Sequence, residues 1–241
     1  MDFIDEIRRE SELFYATAHS ADPTCTVPSC PAWTIADLVW HLAEVQWFWG
    51  TVIDIRADDP DKAEGGKPAR PDDYAEVVAA GRSYAARMLS ILEANDDATT
   101  VWTWAPSDQS VGFIRRHQVQ EAAVHRWDIQ NAASPGAAAP IDPVAAADSI
   151  DEYLTVSLPW VVNEKKPLPG SVHLHCTDTD GEWFIHRDGR VEAIHAKGDV
   201  AMRGTASDLL LALYTRLELS SVDVIGNDAL ATQFIGLMHN D

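Results

Sequence analysis

CPAWTIADLVWHLAEVQWFWGTVI, residues 30–53, decides how the amino-terminal half of this chain folds. Thr34 stands where a helix N-cap belongs and Asp37 follows three positions later, an arrangement close to a capping box. From there Ile35, Leu38, Leu42, Val45, Trp49 and Val52 recur at spacings of three and four, which predicts a helix over residues 34–55 with one apolar stripe. Such a stripe has to be covered by other elements.

The chain offers three. Phe3, Ile7, Phe14 and Ala18 repeat with helical spacing over residues 2–19. Tyr74, Val77, Val78, Gly81, Tyr84, Met88 and Leu92 do the same over 73–94, and residues 111–132 form a further helical segment. Helices of this length joined by loops predict a four-helix bundle. The stretch RADDPDKAEGGKPARPDD, residues 56–73, is too rich in proline, glycine and charge to pack and is expected to be a loop, of a length that is often functional. Its polarity suits an access lid.

The texture changes near residue 140. NAASPGAAAPIDP, residues 131–143, reads as a linker, and a helix is expected over 143–160. SVHLHCTD and EWFIHRDGRVEAIHA then alternate apolar and polar residues around the turn signals DTDG and RDG, which predicts three antiparallel strands. DVAMRG continues the sheet, TASDLLLALYTRL is a capped helix, SSVDVIG a short strand and NDALATQFIGLM a last helix. The fold class expected is therefore α+β, a bundle over 1–140 followed by a small α+β domain over 141–241.

Composition removes several function classes. With 38 acidic against 18 basic residues and a formal charge of −20, the chain repels phosphate backbones and anionic headgroups, so neither nucleic acid nor membrane is an expected partner. No apolar run reaches the roughly 20 residues that span a bilayer, and MDFIDEIRRESELF lacks the basic-then-apolar pattern of a signal peptide. A cytoplasmic protein is expected. Cys25, Cys30 and Cys176 are too few for a disulfide framework and lack the second pair of a structural zinc site, so they read as free thiols.

The bundle carries a candidate site. In QEAAVHRWDIQN, residues 120–131, Glu121 and His125 lie one helical turn apart on one face and can share a cation. Alone, that spacing also describes a solvated pair, and it differs from HExxH, where both histidines bind. His41 stands between Leu38 and Val45, close to the stripe that faces the bundle interior, where an imidazole needs a carbonyl, a carboxylate or a metal as partner. Bundle cores are where facing helices assemble metal sites, and His41, His125 and Glu121 together would leave the open position of a catalytic zinc.

VPSCPAWTIADLVWHLAEVQWFWGTVI together with RRHQVQEAAVHRWDIQN resembles the mycothiol-dependent maleylpyruvate isomerase family of actinobacteria, over nearly the whole chain. The resemblance implies a DinB-like four-helix bundle, a sterol-carrier-protein-like carboxy-terminal domain, and a divalent metal, usually zinc, held by His41, Glu121 and His125. The family often has histidine just before that glutamate, where this chain has Gln120. His117 lies one turn before Glu121, from where it could approach the site, and reads as a surface residue. Asp128 either orients a ligand or pairs with Arg126 on the helix surface. Arg216, in the place where the family has an arginine after an aromatic-small pair, either clamps a substrate carboxylate or simply favours a helix C-terminus.

A three-ligand zinc can hold a thiol as thiolate. The resemblance implies a low-molecular-weight thiol, mycothiol, that adds to the conjugated double bond of maleylpyruvate, after which bond rotation and elimination return the trans isomer. Permanent transfer of the thiol to a small electrophilic substrate would make the same site a mycothiol S-transferase. Two alternatives belong to other classes. One is a zinc-dependent hydrolase with Asp128 or Glu44 as base, and the other is a metal-stabilised small-molecule-binding protein. Elsewhere, HRD at residues 186–188 imitates a kinase loop without a phosphate-binding loop, and His173 with His175, which share a strand face and could bind metal, is expected on the solvent side of the sheet.

Overall fold

A computed structural model of the protein describes residues 1–237; Met238, the last residue of the expected final helix, lies outside them. The chain divides into two compact units, Met1–Ala139 and a second from Pro140 onward.

In the first unit, α1 (Phe3–Ser20) starts at Asp2, whose carboxylate accepts from the N–H groups of Ile4 and Asp5. A small hairpin follows, β1 (Thr26–Val27) against β2 (Cys30–Thr34), and its last residue is the N-cap of α2 (Ile35–Asp54). The capping box of Thr34 and Asp37 is complete in both directions. The 56–73 stretch is not all loop, because Asp59 caps a single turn, α3 (Pro60–Glu64), that Pro60 favours at its first position. It is held to α2 by Arg70 on Asp37 at 2.6 Å and Lys67 on Glu44 at 3.0 Å. The bundle is completed by α4 (Tyr74–Glu93), capped by Asp73, and α5 (Val111–Ala133), capped by Ser110.

α2 packs mainly on α4 and α1 on α5, while α1 with α4 and α2 with α5 close the square. Phe14, Leu38, Leu42, Val77, Val78 and Ile129 contribute to one buried apolar cluster. Polar ties run through the same interior. The hydroxyl of Tyr15 donates to Gln46 Oε1 at 3.0 Å, and Gln46 Nε2 donates to Ser11 Oγ at 2.9 Å, which locks α1 to α2. Arg126 Nε donates to Glu10 Oε2 at 2.6 Å with both side chains buried, which ties α1 to α5. Gly81 permits the close approach of α4 to α1, since a Cβ there would stand 2.5 Å from Tyr15 Cε1.

The second unit opens with α6 (Pro143–Glu152), passes through a π-helical turn over Tyr153–Ser157 and ends the helical run in α7 (Leu158–Val161). The expected single helix is therefore widened just before Pro159, whose ring crowds the carbonyl four residues back and which offers no N–H. The sheet consists of β3 (Val172–Cys176), β4 (Glu182–Ile185), β5 (Val191–Glu192), β6 (Val200–Gly204) and, after α8 (Ala206–Leu213), β7 (Asp223–Gly226). The last described element is α9 (Asp228–Leu237). Strand order is β5-β4-β3-β6-β7, with β3 parallel to β6 and the other pairs antiparallel. α8 packs on β3 and β6, and α9 on β6 and β7. A helical first unit and a small sheet-and-helix second unit make the fold α+β. Among the described residues no helix is long and apolar enough to cross a membrane.

Candidate metal centre

α2 and α5 pack side by side, and their contact brings His41 of the first to Glu121 and His125 of the second. One donor atom from each lies within 4.8 Å of the other two. His125 Nε2 stands 3.3 Å from Glu121 Oε2, and the His41 and His125 rings meet edge to face with centroids 4.9 Å apart. Trp33, at the end of the hairpin, packs on the His41 ring at 4.8 Å.

His125 is oriented from behind. Its Nδ1 lies 3.0 Å from Asp128 Oδ2, and Asp128 is fully buried and accepts a second bond from Ser29 Oγ at 2.6 Å. In the neutral imidazole, an Nδ1–H that donates to a carboxylate leaves Nε2 as the lone-pair nitrogen on the side of Glu121, the arrangement by which second carboxylates fix metal-binding imidazoles. Asp128 is thus no surface ion-pair residue, and Arg126 on the same helix is engaged by Glu10. Ser29 was invisible to spacing arguments, since it meets Asp128 only because the β1–β2 hairpin folds over α5.

His117 also departs from the surface reading. Its side chain is 11% exposed, its Nε2 lies 3.6 Å from Glu121 Oε1, and its ring is stacked on Phe113 and edge-on to Trp104 and Trp49. The cause is positional: residues 117, 121, 125 and 128 follow one stripe of α5, and that stripe faces α2. Gln120 is buried one position off it.

Charge in the site is set by these contacts. Burial alone would raise the Glu121 carboxyl, but hydrogen bonds to His117 and His125 outweigh it and hold the group well below the usual carboxylate range. Burial would lower His125, and its bonds to Asp128 and Glu121 reverse that and raise it to about 9. The pocket therefore concentrates negative charge around its imidazoles, which favours a cation.

The remaining candidates have partners of their own. Glu44 is paired with Lys67. Arg216 follows α8, donates from Nη1 to the Tyr214 carbonyl at 2.9 Å and lies over the Tyr214 ring, a placement that matches a cation at a helix C-terminus. Among the described residues Cys25, Cys30 and Cys176 form no disulfide, and burial pushes the Cys176 thiol up to about 12, where it is unreactive.

Comparison with known proteins agrees with this architecture. The crystal structure of a mycothiol-dependent maleylpyruvate isomerase superposes with a TM-score of 0.66 at 12% identity, covering 92% of this chain and 91% of that one. A histidine-to-alanine mutant of a mycothiol-dependent maleylpyruvate isomerase superposes with a TM-score of 0.65 at 11% identity over the same shares. At these identities the likeness is one of fold. No curated protein matches the sequence. The profile of the mycothiol maleylpyruvate isomerase N-terminal domain matches residues 4–130, which is more than half of the chain and includes both helices that build the centre. By that match the chain belongs to the mycothiol maleylpyruvate isomerase family.

Proposed function

We propose that His41, Glu121 and His125 hold a divalent cation, zinc in the first instance, and that the protein is an enzyme using mycothiol as thiol cofactor or co-substrate. The observation that carries the reading is the His125–Asp128 contact. It dedicates Nδ1 to a buried carboxylate and turns Nε2 toward Glu121 and His41, so two imidazoles and one anionic oxygen face a common point. That donor set fits zinc with coordination positions left over. A cation so held supplies Lewis acidity that lowers the pKa of a bound thiol or water.

The chain's own residues have defined parts. Asp128 and Ser29 keep the His125 tautomer. His117 stands 3.6 Å from Glu121 in a wall of Phe113, Trp104 and Trp49, and Trp33 flanks His41. Those aromatic groups limit water around the reacting thiol.

The reaction proposed is cis–trans isomerisation of a maleylpyruvate-like compound by reversible thiol addition to a conjugated double bond. When elimination does not follow, the same chemistry is S-transfer to a small electrophile. The test is turnover of maleylpyruvate by the zinc-loaded protein with and without mycothiol, followed by a panel of electrophiles. Thiol-dependent product formation is expected, and hydrolysis that proceeds equally without thiol would replace this reading with the zinc hydrolase.

A further inference from the structure

The second unit gathers another set of metal-ligand side chains. β3 presents His173 and His175 two residues apart on one face, and Glu182 of β4 sits directly across from His175 in the register. The segment after β5 brings back His195, so that one donor atom from each of the four lies within 4.8 Å of the others. His195 Nδ1 is 2.8 Å from Glu182 Oε1, and His175 Nδ1 contacts the same oxygen. The His173 ring meets the His195 ring edge to face at 5.2 Å.

This face is partly open to solvent, as strand alternation predicts, with His175 and Glu182 part-exposed and His195 exposed, but His173 departs from that pattern. His173 is only 6% exposed, and its Nε2 is buried with no hydrogen-bond partner among the described residues. Buried polar atoms are almost always satisfied, so an orphan imidazole nitrogen beside two more imidazoles and a carboxylate asks for a ligand.

We propose that His173, His175, Glu182 and His195 form a second divalent-metal site, of the closed four-ligand kind that zinc occupies in structural roles. Three imidazoles and one carboxylate complete a tetrahedral set. β5 is an edge strand of two residues, so few backbone bonds hold the segment that follows it. The ion clasps that segment to the β3–β4 hairpin. An open cleft of about 480 Å³, lined by His175, Cys176, Gly181, Glu182, Trp183 and Ala193, gives the ion a way in.

The inference is independent of the bundle centre, and the experiment keeps the two apart. Full-length His125→Ala protein is dialysed against zinc, excess is removed, and zinc per chain is measured by elemental analysis. One equivalent is expected to remain. His195→Ala and, separately, Glu182→Gln are then added to that background. His195 has an exposed side chain, so its removal leaves the fold intact, which circular dichroism checks. Loss of the remaining equivalent in both double variants, with loss of the tetrahedral visible bands of the cobalt-loaded form, supports the site. Absence of zinc from His125→Ala, or zinc that persists in both double variants, overturns it. Wild-type protein that also binds one equivalent, lost on His195→Ala alone, would remove the bundle centre and leave this one standing.

Discussion

The two histidine clusters of this protein are built on different principles. In the bundle, residues at helical spacing on α5 meet a histidine from a facing helix, and the key imidazole is set from behind by Asp128, which Ser29 holds in turn. On the sheet, residues at strand spacing on β3 meet a cross-strand glutamate and a histidine from an edge segment, and the cluster supplies its own carboxylate. The first has three donors and an oriented imidazole, which suits chemistry at an open position. The second has four donors, the fourth from an exposed segment after the edge strand, which suits closure.

The comparison can be broken most severely at the bundle. His125→Ala should abolish stoichiometric metal at that centre and lower kcat/KM for the thiol-dependent reaction by on the order of a thousandfold, the worth of several kcal/mol of Lewis-acid stabilisation. His195→Ala should change the same kcat/KM by less than about twofold, if the sheet site is structural as its closed donor set implies. Steady-state kinetics on both variants decides it, and equal losses would erase the distinction.

Acidity separates the clusters once a chelator has stripped the metal. His125 is raised to about 9 in the folded protein by Asp128 and Glu121, against about 6.5 when unfolded. Its contribution is therefore full below about pH 6.5 and fades as pH rises through about 9, on the order of 3 kcal/mol across the interval. His173 is shifted down, chiefly by burial, so its contribution is present above the unfolded value and is lost as pH falls. Hydrogen exchange followed in each unit between pH 5 and about 9.5 should show protection falling toward alkali in the bundle and toward acid in the sheet.

Asp128→Asn asks whether orientation matters where it is built in. The amide cannot act as the same charged acceptor for both His125 and Ser29, and metal affinity at the bundle should drop by roughly 10- to 100-fold in a chelator competition. Unchanged affinity would make Asp128 merely a buried structural group. The smallest effect belongs to Thr34→Ala, which removes the capping box at the head of the helix that carries His41. A loss of about 1 kcal/mol in denaturant unfolding is expected, with metal stoichiometry unaltered.

Much of this was legible before any coordinates. The 3.6-residue periodicity of residues 30–53 and 111–132 placed both site helices to within a residue or two, because long amphipathic segments report their own secondary structure. His41, Glu121 and His125 were legible as candidates because two of them share a helix face and the third interrupts an apolar stripe. His117 was misread because a single helix shows which residues share a face and says nothing of what covers it. His173 failed for a related reason. Strand alternation separates two faces, and here both faces are buried at that residue, which period two by itself does not reveal.

What the sequence by itself determined is local: the extents of the long bundle helices, the capping box at Thr34, the shared face of Glu121 and His125, and an acidity that disfavours phosphate-bearing partners. These follow from interactions between residues a few positions apart or from composition. Only the tertiary structure decided which faces meet. Ser29 reaches Asp128 across 99 positions, Arg126 reaches Glu10 across 116, and His195 folds back on Glu182, and none of these contacts leaves a periodic trace in the chain. Packing chooses among the neighbours that many faces allow, and it is that choice that turns scattered histidines into two candidate centres.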